Sequence, residues 1–201
     1  MIQPNEHDRF VLRQRIRLVI NQYEFALPEA EDQPFCFVEQ KRFTFKEDIR
    51  FFTDAEKTTE LMRIKARQRF DPVARYDVTG PDGLRIGQMQ KVFGRSLLRS
   101  TYQLFDAQGN DLCTVRERSL PVALFRRLVG LVPYVGDLAD WLPIPYDFEF
   151  RAGDQVLGHN RRRRFRWRDV YELDFTPDMA RRVDRRLVLA TAVGLDALQA
   201  R

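Results

Sequence analysis

The chain has 201 residues, 44% hydrophobic and 12% aromatic, which suits one domain with a real core and excludes a disordered composition. Net charge is +5, and only five of the 34 basic residues are lysines, an arginine excess read first as compositional bias. The longest uncharged apolar run near the C-terminus, Leu187 to Leu195, has nine residues, where a bilayer span needs about 20.

The N-terminus, MIQPNEHDRF, lacks a basic-then-apolar leader pattern, so a cytoplasmic protein is expected. Ile16, Leu18 and Ile20 share one parity, with Arg13, Arg15 and Arg17 on the other. Phe165 and Trp167 alternate with Arg164, Arg166 and Arg168 in the same way. Period two predicts half-buried strands. Pro81-Asp82-Gly83, Ala107 to Asn110 and Ala152-Gly153-Asp154 each separate two such runs and predict hairpin turns. Tyr76, Tyr102, Tyr146 and Tyr171 open successive copies of a degenerate repeat of about 25 residues. A second ladder runs through Phe37, Met62, Gly87, Cys113 and Leu157. Together they predict roughly twelve antiparallel strands, which should close on themselves rather than leave open edges. Cys36 and Cys113 lie in apolar, strand-like stretches and are expected to be buried, reduced thiols.

The repeat is interrupted from Ser119 to Pro145 by the most hydrophobic irregular stretch of the chain. Pro121 is placed at the start of a short helix running to about Val129, after which Gly and Pro break the chain repeatedly. The last element is predicted as a helix over residues 177–199, with Thr176 as cap and Pro177 in the first turn. Residues 187–195 leave no polar face except Thr191, so this helix should be buried on all sides. Arg181, Arg182, Arg185 and Arg186 should protrude, and Asp196 should lie near the far mouth of its container. In a chain of strands, that container is a barrel. The fold class is thus mainly β with α: a roughly twelve-stranded closed antiparallel barrel around a hydrophobic C-terminal helix, one domain over 1–201.

The runs VLRQRIRLVINQYEF, FVEQKRFTFKEDIRFFTD, ARYDVTGPDGLRIGQ, FGRSLLRSTYQLFDAQGNDL and RRLVLATAVGLDAL carry a resemblance across nearly the whole chain. In order, they resemble the family joining the LURP-one-related proteins, the phospholipid scramblases and the tubby C-terminal domain. The resemblance implies a twelve-stranded antiparallel barrel threaded by its C-terminal helix. Tubby domains bind phosphoinositide headgroups through basic surface residues. Scramblases are associated with membranes and calcium. Their cysteine-rich and proline-rich stretches are missing here, and no acidic loop has calcium-ligand spacing, so scrambling is not carried over.

The sharpest local feature is the strip Arg161, Arg162, Arg163, Arg164, Arg166 and Arg168. It suits anionic phospholipid headgroups, each basic residue near such a surface contributing about 1 kcal/mol. A nucleic-acid backbone with Trp167 as stacking surface is a weaker reading. The plain alternative is a strand whose arginines solvate the outside and guard a sheet edge. Phe125, Arg126, Arg127 and Trp141 of the insertion suit contact with a membrane interface or a protein partner, against a plain role as a cap on the barrel. No catalytic set, metal site or cofactor is expected. His7 and His159 stand apart, Ser96 lacks a nucleophile elbow, and no phosphate-binding glycine loop occurs. The expected function is a non-catalytic module docking to anionic lipid or a membrane-associated partner, peripheral to the membrane. The alternative is an intracellular scaffold or ligand carrier.

Overall fold

The computed structural model describes residues 2–16, 20–41, 48–67, 74–92, 101–118, 147–163 and 170–197. Among them are twelve strands. The first six are β1 (Arg9–Ile16), β2 (Ile20–Ala26), β3 (Cys36–Lys41), β4 (Asp48–Phe52), β5 (Glu60–Ala66) and β6 (Arg75–Thr79). The second six are β7 (Arg85–Lys91), β8 (Thr101–Phe105), β9 (Asp111–Glu117), β10 (Phe148–Ala152), β11 (Gln155–Arg162) and β12 (Val170–Asp174). Each strand pairs antiparallel with its neighbours in sequence, and β12 returns to β1 through Phe10↔Leu173 and Val11↔Glu172. The barrel is closed. No edge remains for charge to guard, so the edge-protecting role considered for the arginine strip falls away.

The hairpins form where the turn chemistry places them. Gly83, Gly109 and Gly153 have φ of 80°, 93° and 58°, a region open to glycine without steric cost. Of the Ile16-to-Ile20 alternation, Ile16 ends β1 and Ile20 opens the antiparallel β2, while residues 17–19 lie outside the described residues. Inward positions carry the core: Phe10 and Leu12 on β1, Tyr23 and Phe25 on β2, Ile49 and Phe51 on β4, Met62 and Ile64 on β5. Cys36 and Cys113 are buried free thiols, as expected.

A barrel of about eight strands is just filled by its own side chains, so twelve must hold something more. The occupant is helix α1 (Arg185–Ala197). Leu187 through Ala190, Thr191 and Val193 are all fully buried, and the Thr191 hydroxyl is satisfied within the helix by donating to the Leu187 carbonyl at 2.7 Å. Two glycines make the fit. A Cβ on Gly87 of β7 would stand 2.7 Å from Leu187 Cδ2 and 2.7 Å from the Phe105 carbonyl. A Cβ on Gly158 of β11 would stand 2.6 Å from the Phe175 ring.

The helix starts later than its sequence suggests. Residues 176–180 form turns, and helical structure begins at Arg185 rather than at 177. Asp184 is the true cap: its carboxylate accepts from the Arg186 N–H at 2.8 Å, and its carbonyl takes the first helical bond from Val188. Asp178 is drawn out of a helical role because its carboxylate accepts from the Arg182 and Val183 N–H groups at 3.0 and 3.1 Å. Nor do all four arginines protrude. Arg181 and Arg182 are exposed, but Arg185 is buried. The end of the predicted helix at 198–199 lies outside the described residues.

Candidate functional site

The outer wall of the barrel is built from the parity opposite to the core, and most of its charges cancel locally. Arg63 meets Glu60 at 2.7 Å, Arg67 meets Asp77 at 2.8 Å, Lys57 meets Glu39 at 3.2 Å and Arg151 meets Glu149 at 2.7 Å. Exposed pairs of this kind contribute little stability each. They neutralise the wall, so an anion would be attracted only where cations lack partners.

The described part of the arginine strip divides into three cases. Arg163 is tied down. Its guanidinium donates to both oxygens of Glu31 at 2.6 and 3.0 Å and to Glu172 at 2.6 Å. Arg13 adds a further bond to Glu31 at 2.8 Å. Arg163 thereby clamps the turn after the Pro28–Ala30 3-10 segment onto β1 and β12. The hydrogen bond from Arg163, with help from Arg13, lowers the Glu31 carboxyl from the ordinary 4.5 to about 2. Arg162 shares the inward parity of Asn160 and is half-buried, its backbone N–H donating to Asp147 at 3.3 Å. Arg161 points outward and is exposed. Arg164, Arg166 and Arg168 lie outside the described residues, as do Phe125, Arg126, Arg127, Trp141 and the whole 119–145 insertion.

The Glu31 clamp has a pH signature. A carboxyl whose folded pKa is depressed contributes stability above its unfolded pKa, and that contribution disappears as pH falls through the folded value. Glu31→Gln should therefore lower stability by about 1 kcal/mol at pH 7. The deficit should shrink as pH falls from about 4.5 towards about 2, which thermal melts of both proteins across that range will read.

The structure gathers basic residues that the sequence leaves scattered. Register places Arg116, Glu149, His159, Asp174 and Arg9 in one row across β9, β10, β11, β12 and β1. Arg118 and Arg161 adjoin this row. Among the described residues, Arg9, Arg116, Arg118 and Arg161 have no acidic oxygen within ion-pair distance. Burial pushes the His159 imidazole below its ordinary value, and the fields of Arg161 and Arg118 push the same way against Glu149 and Asp174. Sequence reading could not single out Arg9, Arg116 or Arg118, since only barrel closure and register bring them together.

Chemistry beyond charge is sparse here. His159 Nδ1 is 3.9 Å from Glu149 Oε1, too long for a hydrogen bond. Burial raises both thiols, that of Cys113 to about 12, so neither is a nucleophile at neutral pH. Among the described residues no group of three or more His, Cys, Asp or Glu side chains is arranged to hold a metal ion. Among them, too, no helix is long and apolar enough to cross a membrane.

A family model described as LURP-one-related matches residues 36–196. No curated protein matches the chain.

Proposed function

We propose that this chain, which belongs to the LURP-one-related family within the tubby-like C-terminal superfamily, is a non-catalytic module that docks to anionic phospholipid headgroups. The family suggests a lipid- or ligand-binding domain. One observation carries the finer reading: the wall around β9, β11 and β1 holds four arginines without acidic partners among the described residues, whereas arginines elsewhere on the wall, such as Arg63, Arg67 and Arg151, are paired. A guanidinium left without a carboxylate retains its bidentate fork for phosphate. Arg164, Arg166 and Arg168 follow directly in the sequence and add to its positive charge.

Vesicle co-sedimentation tests this reading. The protein should bind vesicles containing phosphatidylglycerol and ignore pure phosphatidylcholine. Binding should weaken steeply with salt, because the screening length shrinks from about 8 Å at physiological strength to about 3 Å at 1 M. Arg118→Gln with Arg161→Gln removes two charges, each contributing about 1 kcal/mol near an anionic surface. Affinity should then fall about 30-fold. Equal binding to neutral vesicles, or indifference to salt, would leave the family's binding role without a headgroup reading and favour a scaffold or carrier.

A further inference from the structure

The outer wall contains a pocket of about 60 Å³ between β1, β11 and β12, beneath the Pro28 turn. Arg9, His159, Arg161, Glu172 and Asp174 line it with Pro28. About 10–15 Å³ of such space is enough to hold one water molecule, so this pocket has room for several. It has room for a small tetrahedral or planar oxyanion.

The lining is unusual in how its charges are committed. Arg9 stands opposite Asp174 in the strand register, and Arg161 stands opposite Glu172. Neither cross-strand pair forms. Glu172 gives one oxygen to Arg163 at 2.6 Å. Asp174 turns one oxygen to the Thr176 N–H at 3.0 Å and the Thr176 hydroxyl at 2.7 Å. Arg9 and Arg161, on the two strands that flank β12, thus both line the pocket with no acidic partner among the described residues. His159 adds an imidazole whose Nδ1 is buried and has no hydrogen-bond partner among the described residues.

We infer that this pocket is a binding site for a single phosphate-type oxyanion, held between Arg9 and Arg161 with His159 at its floor. The inference deepens the headgroup reading and rests on it only for the source of the phosphate. The two carboxylates oppose an anion, so the affinity is modest and selective for a group that offers two or more oxygens to both guanidiniums at once.

The test is a titration of the full chain with inorganic phosphate, read by proton–nitrogen correlation spectra that include arginine Nε and the histidine ring. Sodium chloride at matched ionic strength is the comparison. Saturable shifts confined to Arg9, His159, Arg161 and the adjoining backbone of β11 and β12 are expected. Arg9→Gln and Arg161→Gln should each weaken saturation at least about fivefold, in line with the loss of one charge-assisted contact. Lys65→Gln, exposed on β5, should leave it unchanged. Both arginines are exposed, so their loss should not unfold the barrel. Chloride shifts equal to those of phosphate, or undiminished saturation in both arginine variants, would overturn the site.

A second arm finds the source. Vesicles carrying phosphatidic acid, a phosphomonoester, are compared with phosphatidylglycerol vesicles matched in surface potential. Tighter binding to phosphatidic acid that Arg9→Gln abolishes places a lipid phosphate in the pocket. Saturable phosphate binding without any vesicle binding keeps the pocket, assigns it to a soluble phosphomonoester and overturns the headgroup reading. Vesicle binding without phosphate saturation overturns the pocket and keeps that reading.

Discussion

Replacing Arg185 with alanine lowers the stability of the barrel by about 3–5 kcal/mol, the usual effect of removing one partner from a buried ion pair. Arg185 is 1% exposed, and so is Asp178. The guanidinium donates to Asp178 Oδ2 at 2.8 Å, to the Val183 carbonyl at 2.8 Å and to Asp8 Oδ1 at 2.7 Å. Its Cζ lies 5.3 Å from the centre of the Phe175 ring, a cation–π contact. The N-terminal arm, distant in sequence, thus meets the turn after β12 and the first residue of α1 at one side chain. The backbone N–H of Arg185 also donates to the Asn5 side chain at 2.7 Å. Truncation leaves the Asp178 carboxylate buried, with only the Arg182 and Val183 N–H groups to hold it.

The pH dependence of that loss follows from Asp178. Burial alone would raise its pKa, but the bonds from Arg185, Arg182 and Val183 together hold it below the ordinary value. A depressed carboxyl contributes stability above its unfolded pKa of about 3.9, and the contribution is lost as pH falls through the folded value. The deficit of Arg185→Ala should therefore be greatest near neutral pH and shrink below about pH 4, where protonation relieves the orphaned carboxylate. The pair Arg185→Met with Asp178→Asn should cost less than the two single changes combined, because neither partner is then left charged and alone. Urea denaturation of the parent, Arg185→Ala, the two single variants Arg185→Met and Asp178→Asn, and the double variant at pH 7 and pH 4 reads both expectations.

Leu187→Ala is expected to cost about 3–5 kcal/mol, since the side chain is fully buried and the surrounding barrel wall cannot collapse into the space. Gly87→Ala should cost about 1–3 kcal/mol through overpacking. The methyl would lie 2.7 Å from Leu187 Cδ2, which can move, and 2.7 Å from the Phe105 carbonyl, which is held in the sheet. Combining the two changes removes one of these overlaps and fills part of the cavity. The double variant should therefore be more stable than additivity allows by about 1 kcal/mol, a typical coupling for residues in contact. Strict additivity would mean that α1 does not pack on β7.

Much of this architecture is legible in the residues. The turns at 81–83, 107–110 and 152–154 announce hairpins because Gly, Asp and Asn supply the required backbone angles. The run from Leu187 to Leu195 announces a helix with no solvent face, and twelve strands supply its container. The helix start is misread for a physical reason. Thr176-Pro177-Asp178 has the composition of a cap, but Asp178 is claimed by Arg185, so the chain runs through five more residues before Asp184 caps α1. The same buried pair explains why Arg185 does not protrude with its neighbours. A charge pattern on one segment cannot reveal that its partners Asp8 and Asp178 come from elsewhere.

The functional face is less legible. The run of arginines from Arg161 draws attention by composition, yet its described members have different fates. Arg163 is committed to Glu31 and Glu172, while Arg161 is open. Arg9 lies about 150 positions earlier in the chain and joins the face only because β1 closes on β12. Which arginine is available depends on where each carboxylate is spent, and that is set by register and turn geometry, not by local sequence.

The most direct measurement sets the open arginines against the tied one, with vesicle affinity and melting temperature taken on the same samples. The pair Arg9→Gln with Arg161→Gln should lose about 30-fold in affinity for anionic vesicles, or about 2 kcal/mol, while melting as the parent does. Arg163→Gln, which breaks the clamp on Glu31 and Glu172, should melt lower and bind vesicles to within about threefold of the parent. The opposite outcome, with Arg163 essential for binding and Arg9 and Arg161 dispensable, would contradict a docking face made from the unpartnered cations.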